Sequence, residues 1–306
     1  MRCVIVGYGY WGKIIERYVR ESADFTLVGI CSPRLSGAPT LRELVEDGGI
    51  AAAIVCTPTD THFEIVSCLL ENGIHVFCEK PLCKQLSQTK ELYARAREHG
   101  VTLFADYIYT VSPSVCAMRD AVRDREELGA PLYVRMEIAQ FGRFYKTDDV
   151  FAVLGVHMLS VLGYVFDVSC GEVRILETKA LRRNENGLAE AGWARFSMPK
   201  LSGEISCSLL AHEKQRRVEL YCERGLVVFD MLGEKTMLAI CHRKTEEGYE
   251  EKVLCEYCFD EGNNLSRALS RFAEDIRKGE SSSESVAVLV ADCLEQIGYG
   301  MDEEMI

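Results

Sequence analysis

Six residues near the amino end have the types and spacing to hold a phosphate: Gly7-Tyr8-Gly9-Tyr10-Trp11-Gly12. They follow the apolar run Cys3-Val4-Ile5-Val6 directly and open a stretch of helical spacing from Gly12 to Glu21. In such a turn the first glycine bends the chain, the second lets backbone approach a pyrophosphate, and the third packs helix on strand. The helix end then offers unpaired amides and the positive end of its dipole to the phosphates. Alone the pattern is weak. Placed after a strand and inside an alternating strand–helix unit, it points to a bound dinucleotide. Gly7, Gly9 and Gly12 are the expected contacts, with Tyr10 and Trp11 packed beside the turn.

About 20 residues past such a turn, a carboxylate ordinarily holds the ribose 2′-hydroxyl. This chain reads Cys31-Ser32-Pro33-Arg34 there. Ser32 does not repel a 2′-phosphate as a carboxylate does, and Arg34 is able to pair with one. NADP is therefore expected ahead of NAD, which stays possible. The plainer alternative leaves Arg34 as a solvated loop charge.

The elements that must position these residues are legible from apolar periodicity. Short strands at Cys3–Val6, Thr26–Cys31, Ala52–Cys56, His75–Cys78 and Thr102–Ala105 alternate with helical segments, including a short one over Thr40–Asp47. Asp60 or Thr61 is the expected cap of the helix that runs to Glu71, which Asn72-Gly73 closes. Continuously apolar strands separated by helices mean crossover units and a parallel sheet buried on both faces. Beyond about residue 125 the pattern changes. Eight strand-like runs, Leu132–Ala139, Val173–Ala180, Trp193–Ser197, Glu204–Leu210, Arg217–Cys222, Leu226–Phe229, Met237–Ile240 and Val253–Phe259, follow with few helices between them, and helical spacing returns at Leu265–Lys278 and Ser285–Gly298. The expected fold is an α/β Rossmann domain with a doubly wound parallel sheet over residues 1–120. An α+β domain with a large, mostly antiparallel open sheet takes 121–306. Such a sheet tends to hide its second face, so a homodimer or homotetramer through it is expected.

The chain's 306 residues suit two domains at about 150 residues each. Hydrophobic residues make up 48% and charged ones 27%, enough for a real core. With 35 Lys plus Arg against 47 Asp plus Glu, the net charge of −12 argues against a nucleic-acid partner, because nothing neutralises a polyanion over a broad surface. Fourteen cysteines are scattered through apolar segments (Cys3, Cys31, Cys56, Cys78, Cys207, Cys222) where a thiol acts as a small hydrophobe. No leader-like segment stands before the first apolar run, so a reduced, cytoplasmic protein is expected. Cys255 and Cys258 form one C-x-x-C on a strand-like stretch without a second pair, and no metal site is expected. Val150–Phe166 carries no formal charge but is shorter than the about 20 residues a membrane span requires. It reads as a buried core helix, and no membrane partner is expected.

Three further segments extend the glycine turn into a signature. Cys56-Thr57-Pro58-Thr59-Asp60-Thr61-His62 follows the third strand, Glu79-Lys80-Pro81 follows the fourth, and Gly155-Val156-His157 lies in the uncharged helix. Together these resemble the Gfo/Idh/MocA oxidoreductases over nearly the whole chain. Ala105-Asp106-Tyr107 and Val150–Ser160 look most like the branch acting on nucleotide sugars. The resemblance implies hydride transfer between a nicotinamide and a sugar-like alcohol or ketone. It places Thr57, Pro58, His62 and Glu79 on the cofactor, Lys80 at both cofactor and substrate hydroxyl, and His157 as acid/base. The pairing is chemically sensible: alcohol oxidation needs a base for the O–H proton, and an ammonium stabilises the developing alkoxide.

One departure stands out. An Asp one helical turn before the histidine is usual in the family, and here that place is Val153, with Met158 just after the imidazole and Ser160 beyond. Asp149 is too far along a helix to replace it directly. Asp106, Tyr107, Tyr109 and Tyr145 are other candidates that sequence alone cannot place. Two rival readings therefore remain: a cofactor-bound but non-catalytic sensor or scaffold, and a reductase of a non-sugar ketone or imine. Arg182-Arg183 and Lys214 to Arg217 are able to hold a substrate phosphate, although strand-end charges of this kind are more often solvated.

Overall fold

The computed structural model describes residues 1–302 apart from positions 47, 125, 143, 234, 235 and 261. In chain order the first elements are β1 (Arg2–Val6), α1 (Tyr10–Glu21), β2 (Thr26–Cys31), α2 (Leu41–Glu46), β3 (Ala52–Val55), α3 (His62–Glu71), β4 (His75–Glu79), α4 (Leu86–Glu98) and β5 (Leu103–Asp106). They are followed by α5 (Pro113–Asp124), β6 (Pro131–Phe141) and α6 (Val156–Phe166). Seven strands come next: β7 (Arg174–Arg183), β8 (Ala189–Met198), β9 (Leu201–Ser208), β10 (Leu210–Cys222), β11 (Gly225–Asp230), β12 (Met237–Lys244) and β13 (Tyr249–Tyr257). Helices α7 (Asn264–Lys278) and α8 (Glu284–Asp302) end the chain. The expected helix over Thr40–Asp47 is α2; its last residue, position 47, lies outside the described residues.

Two compact units result, one of Met1–Val111 with Asn263–Ala291 and one of Ser112–Gly262 with Asp292–Ile306. The units part between Val111 and Ser112, ahead of α5, rather than at 120/121 within it, and residues 263–291 return to the first unit. The reason is an apolar stripe on α7. Leu265, Ala268, Leu269, Phe272 and Ala273 recur at helical spacing and are all buried. Phe272 lies 5.5 Å from Phe25, 5.7 Å from Phe77 and 6.2 Å from Phe104, ring centre to ring centre. Without α7 this aromatic core, shared with Ile5, Ile15 and Ile54, would face water.

The first unit's sheet is parallel, in the order β2-β1-β3-β4-β5. Every residue of β3 and β5 is buried, as strands covered on both faces require. The outer edge of β5 is closed by hydroxyls: Leu103 and Ala105 donate their N–H groups to Ser281 Oγ (3.1 Å) and Ser283 Oγ (2.9 Å). Paired edge donors do not template a further strand.

The second unit holds an eight-stranded sheet in the order β13-β12-β11-β10-β6-β9-β8-β7. All contacts are antiparallel except β6 with β9. Each of the eight strand-like runs read from the sequence falls on one of these strands. The buried segment Val150–Phe166 is helical, but its first turn, Phe151–Gly155, is π-type. Among the described residues, no helix is long and apolar enough to cross a membrane.

Candidate functional site

The glycine turn is built around two places where backbone touches backbone. Gly7 adopts φ +95°, the left-handed region, and a Cβ there would lie 2.8 Å from the Cys56 carbonyl carbon. A Cβ on Gly12 would meet the Gly7 carbonyl oxygen at 2.3 Å. Gly9 differs: among the described residues its one near neighbour is Arg34 Nη1, 3.6 Å from where a Cβ would sit. The turn is thus closed at both ends and open at the middle, and Gly9 caps α1 with no side chain bonded to the helix amides. This arrangement fits a pyrophosphate at the helix end, with Arg34 beside it. Ser32 is buried, and its hydroxyl accepts the Arg34 N–H at 3.3 Å, fixing the turn that carries the guanidinium. Tyr10 and Trp11 are exposed and meet edge to face, 5.5 Å between centres. Tyr8 is tied back to α1 by its hydroxyl, which donates to Glu16 at 2.5 Å.

Two loops at the carboxyl ends of β3 and β4 carry the next candidates. His62 is buried, 1% exposed, and braces both. Its Nε2 lies 2.9 Å from the Thr57 carbonyl, and its Nδ1 lies 3.0 Å from that of Pro81 and 3.2 Å from that of Leu82. The imidazole expected on the cofactor is engaged with the backbone of both loops. Of the two expected caps, Thr61 is the N-cap residue of α3, but no side-chain bond to the helix amides is made. Thr61 donates its hydroxyl to Pro58 O at 2.7 Å, and Asp60 pairs with Lys84 at 3.0 Å. Both contacts strengthen the same brace. Pro58 is exposed, Thr57 half-buried, and the Lys80-Pro81 peptide is cis.

Glu79 closes β4 and Lys80 follows it, both half-buried, and Asp106 closes β5 almost fully buried at 4% exposure. Glu79 and Asp106 are register partners across the two strands. Burial pushes the Glu79 carboxyl up to about 7, with the Lys80 charge and the Lys80 N–H pulling the other way. Burial and then the Glu79 charge hold Asp106 well above the carboxylate range, against the pull of Lys80. Sequence reasoning singled out Glu79 and Lys80 by their motif. Asp106 was one carboxylate among several candidates, because strand pairing is what brings it beside Glu79.

In the second unit, His157 stands half-buried at the start of α6. Val153 and Met158 are buried. The Ser160 hydroxyl donates to the His157 carbonyl at 2.8 Å and so serves the backbone. Asp149 accepts the Ala152 N–H at 2.9 Å, capping the helical segment. The π-type turn also changes the face argument: the Val156 N–H reaches back five residues to Phe151 O, so residues four apart no longer stack squarely here. The basic pairs considered for a substrate phosphate meet protein acceptors instead. Arg182 pairs with Glu190 at 3.2 Å, Arg183 donates to Gly187 O at 2.7 Å, Arg216 to Gln140 Oε1 at 2.7 Å, and Arg217 to Glu219 at 2.8 Å.

The cysteines behave as the sequence suggested. Burial pushes Cys3 up to about 12 and Cys222 up to about 11, and raises Cys56, Cys78 and Cys207 as well. Among the described residues, no group of three or more His, Cys, Asp or Glu side chains could hold a metal ion.

Residues 1–107 match the sequence model of the oxidoreductase family with an NAD-binding Rossmann fold, GFO_IDH_MocA. Over these residues the chain resembles the Gfo/Idh/MocA oxidoreductases. It is 37% identical over 151 residues to scyllo-inositol 2-dehydrogenase (NAD(+)) of Bacillus subtilis (strain 168), 44% of this chain and 43% of that enzyme. The match with an uncharacterised oxidoreductase of the same organism likewise spans only 40% of its length. UDP-N-acetylglucosamine 3-dehydrogenase of Acidithiobacillus ferrooxidans is 24% identical over 254 residues, 79% of this chain and 77% of that one. Among solved structures, KijD10, a 3-ketoreductase from Actinomadura kijaniata in complex with TDP-benzene and NADP, has the same fold. Its TM-score is 0.79 at 16% identity, over 98% of this chain and 97% of that chain. The family match thus covers the glycine turn and Glu79-Lys80-Pro81 and stops before the histidine helix.

Proposed function

We propose that this protein is an NADP-preferring oxidoreductase acting on a sugar-like or nucleotide-sugar alcohol or ketone. The observation that carries the reading is the turn open only at Gly9, with Arg34 beside the opening and the amides of α1 without a side-chain cap. When bound, the nicotinamide supplies the site that accepts or donates hydride. The chain's own residues do the rest. Gly7, Gly9, Gly12, Tyr10 and Trp11 bind and border the diphosphate half, and Ser32 and Arg34 select the 2′-phosphate. Thr57, Pro58 and Glu79 line the nicotinamide half, and His62 holds their loops. Lys80 stabilises charge on the substrate oxygen, and His157 relays its proton. The relatives named as inositol and nucleotide-sugar dehydrogenases support the substrate class. Exposed Leu132, Leu176, Leu181 and Tyr221 on the eight-stranded sheet support a homo-oligomer formed through it.

The test is fluorescence titration with NADPH and NADH, followed by a screen of sugar nucleotides, inositols and ketoses for a change in nicotinamide absorbance. Lys80→Met is expected to lose at least about 100-fold in turnover and to weaken dinucleotide binding far less. If neither dinucleotide binds, the reading fails at its first step. The buried Val153 in place of the family acid favours a second reading, a dinucleotide-bound sensor. Tight binding without turnover on the whole panel would decide for it.

A further inference from the structure

Resting on the oxidoreductase reading, we propose that Glu79 and Asp106 form a carboxyl pair holding one proton, which takes up the substrate hydroxyl proton through Lys80 and returns it in the reverse direction. The placement comes from the sheet. Register partners on neighbouring parallel strands lie about 4.8 Å apart and send their side chains to the same face. Both residues close their strands at the carboxyl edge of the parallel sheet, the edge at which open α/β sheets bind ligands. Asp106 is 4% exposed, and its Oδ1 is buried with no hydrogen-bond partner among the described residues. A bare carboxylate in that position is costly, and two carboxylates sharing a site do not both ionise. A single proton on the pair relieves both problems.

The other titratable groups around the pair leave little competition. Burial raises the Cys56 and Cys78 thiols, and both carboxyl charges raise them further, so they remain neutral thiols at neutral pH. Lys80 is the cation acting on the pair, and it pulls both carboxyls toward ionisation. Glu79, held near neutrality, is matched to a proton that must move in both directions at physiological pH.

During oxidation the substrate C–H bond breaks, its electron pair leaving as hydride to the oxidised nicotinamide. The O–H bond breaks to give the carbonyl. Lys80 takes that proton as it hands one of its own to the pair, which goes from one proton and one negative charge to two protons and none. Reduction runs the same exchange backwards. The pair is thus a second acceptor for the substrate hydroxyl proton beside His157, whose place for an orienting acid holds Val153.

The experiment begins on the unliganded full chain. Infrared titration should show the carbonyl stretch of a protonated carboxyl persisting at pH 7 in the wild type and lost in Asp106→Asn, with circular dichroism confirming the fold. Glu79→Gln provides a second variant if Asp106→Asn fails to fold: it should keep the band of the buried Asp106 and remove the component that titrates near 7, and an unchanged titration overturns the pair. Absence of the band in the wild type at pH 7 overturns the pair whether or not the protein turns over substrate. With a working substrate, Asp106→Asn should lower kcat about 100-fold, move the acidic limb of the kcat profile, and leave the NADPH dissociation constant unchanged. An unchanged pH profile overturns the relay. A band present with tight dinucleotide binding and no turnover refutes the oxidoreductase reading itself, and the relay falls with it.

Discussion

The glycine turn of the first unit and the histidine helix of the second are both short, motif-bearing segments, yet they are held by different materials. Around the turn, backbone meets backbone: the place for a Cβ on Gly12 is 2.3 Å from the Gly7 carbonyl oxygen, and that on Gly7 is 2.8 Å from the Cys56 carbonyl carbon. Around the helix, side chain meets side chain: a Cβ on Gly155 would meet Phe151 Cδ1 at 3.2 Å and Cys207 Sγ at 3.3 Å. Backbone cannot move without breaking the sheet, whereas a ring or a thiol is able to shift by a few tenths of an ångström. The first kind of contact dictates residue identity and the second dictates only approximate volume.

The largest expected effect follows from the first kind. Gly12→Ala should cost about 3 kcal/mol or more, because its only relief is to move α1 off β1. Gly9→Ala, with nothing but the end of the Arg34 side chain nearby, should leave stability within about 0.5 kcal/mol. Both variants should weaken NADPH binding, Gly12→Ala by distorting the turn and Gly9→Ala by occupying the opening. Urea denaturation and dinucleotide titration of the two variants separate these causes. If Gly9→Ala bound NADPH as tightly as the wild type, the opening would not be the diphosphate site.

The same distinction explains what was legible beforehand. The parallel sheet, the eight later strands and the glycine turn could be read because apolar periodicity and backbone sterics leave few choices. The return of α7 to the first unit was written in its apolar stripe, but periodicity states that a face is buried without saying against what. His62 was legible as a motif residue but not in its backbone contacts. A histidine after Thr57-Pro58 reads as a ligand contact, and only the three-dimensional fold shows its two nitrogens against carbonyl oxygens of two loops. Asp106 was hidden for a related reason, since strand register is not a local property of sequence. At Val153 the face argument assumed a regular helix, and the π-type turn over Phe151–Gly155 leaves no clear mark in residue types.

The two regions should also differ in how stability responds to pH. Glu79 keeps its proton in the fold up to about 7, against 4.5 as the ordinary value. A carboxyl whose folded pKa is raised gives stability that is complete below about 4.5 and is lost as pH climbs through about 7. The wild type should therefore lose on the order of 2–3 kcal/mol across that interval from this residue. Glu79→Gln should flatten the fall, matching the wild type near pH 4 and exceeding it at pH 8. Denaturation midpoints in urea from pH 4 to 8 measure it. Parallel curves for the two proteins would mean that Glu79 is as well solvated in the fold as out of it.

The smallest expected effect is the most discriminating for the contrast between the regions. Gly155 has ordinary helical dihedrals, φ −57° and ψ −34°, so alanine introduces no backbone strain there. Its methyl group would press on the Phe151 ring and the Cys207 sulfur, both of which have room to give by rotation. Replacing a helical glycine also recovers up to about 1 kcal/mol of chain entropy. The two terms oppose, and Gly155→Ala should change stability by no more than about 1 kcal/mol in either direction. The substitution lies two residues before His157, so turnover reports any small rotation of the imidazole separately from stability. A loss comparable to that of Gly12→Ala would show that the π-type turn is as unyielding as the glycine turn. The helix would then dictate residue identity as strictly as the turn does, and the distinction between the two regions would be gone.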